Sequence, residues 1–303
     1  MDFTNFRKYY KIDSTQISDE WLSWLIGFFE GDGSITIDTR KNKNYLTFVI
    51  TQREDNKFIL KEIKDTLKIG SVNVQGKHIV PGRLWMYRFQ ITNLKDFHKI
   101  LLILNNNLIL PERRYFLWKV INIYNINLQR SKNNQFLKFK DVDYIENNNN
   151  NSSLETIIKN PKLPSEKDHW LVGFTDAEGC FSIWFLSNSN AFRIRYILGI
   201  NSRPNNTIEY KLKIFEKVKQ ILKVPVGSIT YRKKNSEIVF IEFRADGLKN
   251  IRNVIDYFNL NSLKTNKNLN FLILKETYKK LIKKEHLDTK LRVNLINLIK
   301  NKI

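Results

Sequence analysis

The sequence predicts an α+β fold built as two pseudo-symmetric αββαββα domains, each an antiparallel sheet backed by helices. Three observations predict it. The string WLIGFFEGDGSI at Trp24–Ile35 returns as WLVGFTDAEGCFSI from Trp170 to Ile183. Behind each copy the same patterns follow in the same order: alternation, helical spacing, alternation, helical spacing. A tract rich in Asn and Ser and carrying Pro161 and Pro164 separates the copies. The expected organisation is a first domain at 1–128, a linker at 129–164 and a second domain at 165–303.

Ser18, followed by Asp19 and Glu20, suits a helix start. A helix from there to Glu30 has about 13 residues and spans roughly 20 Å. Gly33 stands where that helix ends and a strand begins. SITIDTRKNKNYLTFVITQ (Ser34–Gln52) alternates as two strands around a basic turn. Glu54–Ile69 is helical, with Phe58, Ile59, Ile63 and Leu67 on its apolar stripe. GSVNV and LWMYRFQIT supply the second strand pair, and helices resume at Leu94–Leu104 and Arg113–Tyr124.

The second half repeats this order. Ser165 with Asp168 marks the helix start, and Gly179 its end. Cys180–Ile200 holds two strands, Glu209–Val224 a helix, Gly227–Ala245 two more strands, and Gly247–Lys284 the closing helices. LKIGSV at Leu67–Val72 is echoed by LKVPVGSI at Leu222–Ile229. FLKFK in the linker (Phe136–Lys140) is expected to be solvated.

The 303 residues suffice for two cores. Lys and Arg number 51 against 30 Asp and Glu, a net charge of +21. Such a surplus implies an anionic partner, nucleic acid before all others. No apolar run of about 18 residues occurs, so no membrane span is expected. MDFTNFRKYYKID lacks the apolar core of a signal peptide. The single cysteine, Cys180, excludes an internal disulfide framework and a cysteine zinc cluster. The abundance of Asn, Lys and Ile, whose codons are A/T-rich, fits an organellar genome.

The duplicated string carries the chemistry. Gly27 and Gly31 lie four apart, as do Gly173 and Ala177. Small residues at that spacing share one helix face and let two backbones approach closely, so the two helices are expected to pack on each other about a pseudo-twofold axis. Leu25, Phe28, Leu171 and Phe174 would then be buried. Asp32 and Glu178 follow the small residues at the C-terminal helix ends, where the dipole is already negative. Two such carboxylates brought together repel, unless a hard cation with oxygen ligands joins them. Glu30 and Asp176, two residues earlier, are expected to hydrogen-bond across the helix interface or to nearby backbone rather than to bind metal. EGDGSITIDTRK is no calcium loop, because Ile35 stands where that loop requires Gly. Neither a GxGxxG nor a Walker string is present.

LIGFFEGDG (Leu25–Gly33) and LVGFTDAEG (Leu171–Gly179) resemble the two signature motifs of single-chain LAGLIDADG homing endonucleases of the organellar, intron-encoded type. The resemblance implies two LAGLIDADG domains and metal-dependent cleavage of both DNA strands. Asp32 and Glu178 become the catalytic metal ligands, joined by the carbonyls of Gly31 and Ala177. It also implies polar groups that organise water: Gln52, with Ser202 as its counterpart, and Lys267 or Lys264, with Arg113 or Arg114 in the first half. The implied cofactor is Mg²⁺ or another divalent cation such as Mn²⁺, with Ca²⁺ a non-productive substitute. The implied partner is double-stranded DNA with a long asymmetric target, bound by a monomer in a mitochondrion or other organelle. An intron RNA maturase, with intron RNA as its partner, and a non-catalytic DNA-binding protein of the same fold stand as alternatives.

Alternation, together with the basic turns RKNKN (Arg40–Asn44) and YRKKN (Tyr231–Asn235), assigns the DNA-facing side chains. In AFRIRYILGI, Phe192, Ile194 and Tyr196 face inward; in LWMYRFQIT, Trp85, Tyr87, Phe89 and Ile91 do. The outward set in the first half is Ser34, Thr36, Arg40, Lys41, Lys43, Arg83, Arg88 and Gln90. In the second it is Ser182, Trp184, Arg193, Arg195, Thr230, Arg232, Lys233, Lys234 and Arg244. Arg, Gln and Ser suit base edges in the major groove, and the basic turns suit phosphates. Together these sheets are expected to form a DNA-binding saddle.

Overall fold

Each half of the chain builds one four-stranded antiparallel sheet. The computed structural model describes residues 1–40, 43–75, 85–130, 154–225 and 227–300. Lys41, Arg83 and the FLKFK segment lie outside them. In chain order the elements are α1 (Thr4–Tyr10), α2 (Asp19–Asp32), β1 (Gly33–Arg40), β2 (Lys43–Arg53), α3 (Lys57–Leu67), β3 (Ser71–Gln75), β4 (Met86–Ile91), α4 (Leu94–Leu104), α5 (Pro111–Arg130) and α6 (Leu154–Lys159). There follow α7 (Trp170–Glu178), β5 (Cys180–Phe185), β6 (Phe192–Asn201), α8 (Ile208–Ile221), β7 (Ser228–Lys234), β8 (Glu237–Asp246), α9 (Leu248–Leu260), α10 (Lys267–Ile282) and α11 (Thr289–Lys300). Strand order is β1-β2-β4-β3 in the first sheet and β5-β6-β8-β7 in the second. Among the described residues, no helix is long and apolar enough to cross a membrane.

The helix α2 starts where the sequence places it: Ser18 is the N-cap, its Oγ accepting from Trp21 N at 3.1 Å. Every residue from Leu22 to Glu30 is buried, so this helix is wrapped all round rather than on one stripe. Gly33 ends it in an extended conformation, not a left-handed one. Glycine is required there because a Cβ would fall 2.1 Å from the Phe29 ring. The shared LK of the two echoed turns also has a local reason. Lys68 and Lys223 both adopt positive φ just past their helices, the left-handed turn that stops α3 and α8.

Three local expectations differ. Phe58 is 47% exposed, and Leu60 takes its place beside Ile59, Ile63 and Leu67 on the buried stripe of α3. Ser165 does not cap the second motif helix. Asp168 does the work nearer its start, accepting from Trp170 N at 3.1 Å and from Ser165 N at 3.0 Å. Within the expected linker, Leu154–Lys159 forms the helix α6.

By packing, the chain divides into two compact units, Met1–Ala177 and Glu178–Ile303. Helix α7 therefore packs with the first unit up to Ala177, although it opens the second sequence repeat. The core of the first unit centres on stacked Phe29 and Phe48, with Phe89 edge-on to Phe48. That of the second clusters Tyr196 and Phe271 around Phe181 and Phe258, with ring centroids 5.4–5.7 Å from those two.

Candidate metal centre and nucleic-acid interface

The site begins with a contact inside the first unit. Helices α2 and α7 cross backbone to backbone at Gly27 and Gly173. The flanking tryptophans then reach across. Trp24 Nε1 donates to Asp176 Oδ2 at 2.9 Å, and Trp170 Nε1 donates to Glu30 Oε2 at 2.5 Å. Trp24 stacks on Phe28 and Trp170 on Phe174, so each indole is held flat by the residue one turn on. Glu30 and Asp176 are thus the cross-helix acceptors the sequence suggests, and Leu25, Phe28, Leu171 and Phe174 are buried.

The two acceptors differ in their surroundings. Glu30 Oε1 also accepts from the backbone N–H groups of Ile109 (2.8 Å) and Leu110 (2.7 Å), tying α2 to the start of α5. Burial pushes the Glu30 carboxyl up to about 7 against the pull of those three donors. Arg113 donates to the Glu30 carbonyl oxygen at 3.1 Å and lies over the Phe29 ring, while Arg114 donates to the Asn160 carbonyl. Both arginines therefore tie the first unit together.

At the C-terminal end of α2, Asp32 is half-buried, and Gln52 Nε2 on β2 donates to its Oδ2 at 2.6 Å. Gln52 is buried on the core side of the sheet, opposite Tyr87, so its amide is held by packing before it meets the carboxylate. Glu178 closes α7 and is exposed. Gly31 and Ala177, half-buried, carry the last helical carbonyls before these acids. Among the described residues, no three His, Cys, Asp or Glu side chains gather as a cage. A cation at either helix end would depend on carboxylate and carbonyl oxygens completed by water or phosphate, the donor set that Mg²⁺ prefers.

Register does not make Ser202 the counterpart of Gln52: Gln52 pairs with Tyr87, two residues before core Phe89, and Ile200 pairs with Ile241, two residues before core Phe243. Ser202 is fully buried, and its hydroxyl donates to the Ile238 carbonyl oxygen, joining the end of β6 to β8. Lys267 is the first residue of α10, half-buried, its backbone N–H on Thr265 Oγ1.

The strand registers put the expected outward residues in rows. In the first sheet Ser34, Val49, Gln90 and Ser71 align across all four strands. Thr51, Arg88 and Asn73 form the next row, Thr36 pairs with Thr47, and Arg40 with Lys43 at the hairpin end. Tyr87 and Trp85 are half-buried, whereas Phe89 and Ile91 are fully enclosed.

In the second sheet Ser182, Arg195 and Asp246 share a row, and Trp184 pairs with Arg193. A cleft of about 370 Å³ opens there, lined by Ser182, Trp184, Leu186, Arg193 and Arg195. Trp184 is 67% exposed at its rim. Thr230 aligns with Glu242 and Arg244 with Ser228, while Lys233 and Lys234 run exposed beyond a bulge after Arg232.

This face also carries acids that charge counting had passed over. Arg195 Nε donates to Asp246 Oδ2 at 2.7 Å. Glu242 accepts from Arg232 Nη2 at 2.6 Å on one oxygen and from Arg244 Nε at 2.9 Å on the other. Burial raises the Glu242 carboxyl, but the two guanidiniums outweigh it and hold it below its usual value. The sequence signal was available: Glu242 alternates in phase with Arg244.

Comparison with known proteins follows this architecture. The family model described as LAGLIDADG endonuclease matches residues 25–124 and 171–278. A probable intron-encoded endonuclease 4 of Neurospora crassa is 30% identical over 298 residues, 96% of this chain. The chain spans 45% of that relative's length. The crystal structure of the homing endonuclease I-GzeII in complex with its DNA target shares the fold with a TM-score of 0.69 at 20% identity, covering 92% of this chain and 97% of that one. I-SmaMI, bound to an uncleaved DNA target in the presence of calcium ions, does so with a TM-score of 0.67 at 16% identity, covering 91% and 97%. Matched in two segments that each begin inside one copy of the duplicated string, the chain belongs to the LAGLIDADG endonuclease family.

Proposed function

We propose that this chain is a site-specific endonuclease that hydrolyses phosphodiesters in both strands of a long, asymmetric DNA target with the help of a divalent cation. The observation that carries the proposal is the matched chemistry closing α2 and α7: Asp32, anchored by Gln52, ends one, and Glu178 ends the other. Each acid stands at the same distance in sequence beyond the glycine where the helices touch. Asp32 and Glu178 supply carboxylates, and Gly31 and Ala177 backbone carbonyls, to a set suited to Mg²⁺ or Mn²⁺, with Ca²⁺ a non-productive substitute. The cation's contribution is to activate water and stabilise the leaving oxygen. Gln52 fixes the rotation of the Asp32 carboxylate, and Lys267 offers an ammonium that orders water or phosphate.

Ser34, Gln90, Ser182, Arg193 and the other outward side chains read bases, while Arg40, Lys43, Lys233 and Lys234 contact phosphate. Family membership and the DNA-bound relatives of the same fold support this reading. Because one chain carries both repeats and their faces differ, it acts as a monomer on a target without two-fold symmetry. The chain's domains on this reading are the sequence repeats at 1–128 and 165–303, joined by a linker at 129–164. An organellar location, the mitochondrion first, is supported by the intron-encoded relative.

The test is cutting of a random-sequence duplex library with Mg²⁺ by the wild type, Asp32→Asn and Glu178→Gln. Double-strand cuts at a defined site by the wild type alone, with both variants still binding, are expected. Binding with no Mg²⁺-dependent cuts at any site would leave a non-catalytic DNA-binding protein instead.

A further inference from the structure

On the outer face of the second sheet, a floor, a clasp and two arginines form one assembly. Glu242 sits in the middle of β8 and is only 6% exposed although its face is open. Across the strand pair, Gly199 lies opposite it. A Cβ on Gly199 would fall 2.3 Å from the Phe240 ring, so glycine leaves room for that ring to lie against β6. The Arg232 guanidinium stacks 5.2 Å above the same ring, and its Nη2 is clasped by Glu242 Oε1. The other carboxylate oxygen clasps Arg244. Arg232 keeps 69% of its side chain exposed and Arg244 35%, so both are oriented yet still reachable.

Long arginine side chains lose rotamer freedom when they bind, and holding them beforehand removes part of that cost. A guanidinium has five N–H donors, so one clasped by a carboxylate retains others for a ligand. An oriented guanidinium matches the O6/N7 pair of guanine, whereas a mobile one settles on any phosphate. The first sheet has the opposite charge at the comparable place: Arg88 precedes core Phe89 as Glu242 precedes core Phe243. The carboxylate is thus a property of one half alone.

We propose that Glu242 is a specificity-determining positioning residue, which holds Arg232 and Arg244 as guanine readers in one half of the target. The proposal rests on the DNA-binding reading above and adds a division of labour within it.

The experiment is selection from a random-sequence duplex pool in Ca²⁺ buffer with the wild type, Glu242→Gln, Arg232→Gln and Arg244→Gln, read by sequencing. The expected wild-type consensus contains G·C pairs whose preference falls about tenfold or more in Glu242→Gln and falls at the same positions in one or both arginine variants. Binding of Glu242→Gln to non-specific duplex should strengthen, with a salt slope steeper by about one, because a released guanidinium reaches phosphate. A merely structural carboxylate would change the melting temperature but neither the consensus nor the slope. If Glu242→Gln keeps the wild-type consensus, the positioning role is overturned while DNA recognition stands. If it erases a preference that both arginine variants retain, Glu242 reads the base itself and the proposal fails. A wild type that enriches nothing overturns sequence-specific recognition, and this role with it.

Discussion

Gly27 and Gly173 each occupy space that the other's helix needs. A Cβ on Gly27 would fall 2.1 Å from the Trp170 carbonyl oxygen, and one on Gly173 would fall 1.9 Å from that of Trp24. The obstacle is backbone in both cases, so no side chain can swing aside.

Gly173→Ala and Gly27→Ala should each destabilise the protein by about 1–3 kcal/mol or more, by overpacking that forces α2 and α7 apart. Urea unfolding of the two variants checks this. A change below about 0.5 kcal/mol in either would show that the helices can slide without loss.

Trp170→Phe keeps the stacking on Phe174 but removes the donor to Glu30 Oε2. An unpaired buried acceptor costs about 1–3 kcal/mol. Combined with Glu30→Ala, the loss should be less than the sum of the single losses, since each change removes one partner of the same bond. Additivity in that double-mutant cycle would mean the bond contributes nothing.

Glu30 and His98 set opposing pH slopes. Glu30, pushed up to about 7 from the usual 4.5 by burial, holds a proton in the folded state that the unfolded chain has released. Stability from this group therefore falls as pH rises through that window, by about 1.4 kcal/mol per unit. His98, fully buried with Nδ1 3.0 Å from Tyr124 Oη, is pushed down by burial to about 4 from 6.5. Here the unfolded state takes up the proton, so stability rises with pH between those values, by about the same slope. Between pH 4.5 and 6.5 the two cancel. His98→Phe should expose a stability that falls with pH there, and Glu30→Gln one that rises; urea unfolding across the range reads both.

Gln52→Ala removes the amide that holds Asp32. Loss of a side chain that orients a metal ligand typically costs 10- to 100-fold in metal affinity or activity. The Mg²⁺ concentration giving half-maximal cutting should rise by about tenfold or more, with DNA affinity in Ca²⁺ nearly unchanged. An unchanged Mg²⁺ requirement would assign Gln52 to packing alone.

Much of this arrangement was legible because it was written twice. The strand pairs, the order of helices and the acids at the motif ends all follow from periodicity and repetition, which are local signals. Glu30 and Asp176 were recognisable as cross-helix acceptors from helical position, but their indole donors were not. Trp24 and Trp170 face them only once the glycines have brought the backbones together. Partners across strands were equally hidden. Nothing local distinguishes Ser202, spent on the Ile238 carbonyl, from a serine open to water. Glu242 was counted as one acid among 30 until register put it between two arginines. Phe58 shows the remaining weakness: apolar type alone placed it inside, while Leu60 fits the stripe.

The packing of α7 with the first unit sets a rule for anyone recombining halves of such chains. The natural seam in the gene is the linker, but a cut there transplants α7 along with the incoming half. A chimera joined at that seam inherits a lock from one parent and a key from the other: Gly173 and Trp170 must fit the resident Gly27 and Glu30. Compatibility between parents is therefore decided by a few residues of two helices, before any question of which sequence each half reads.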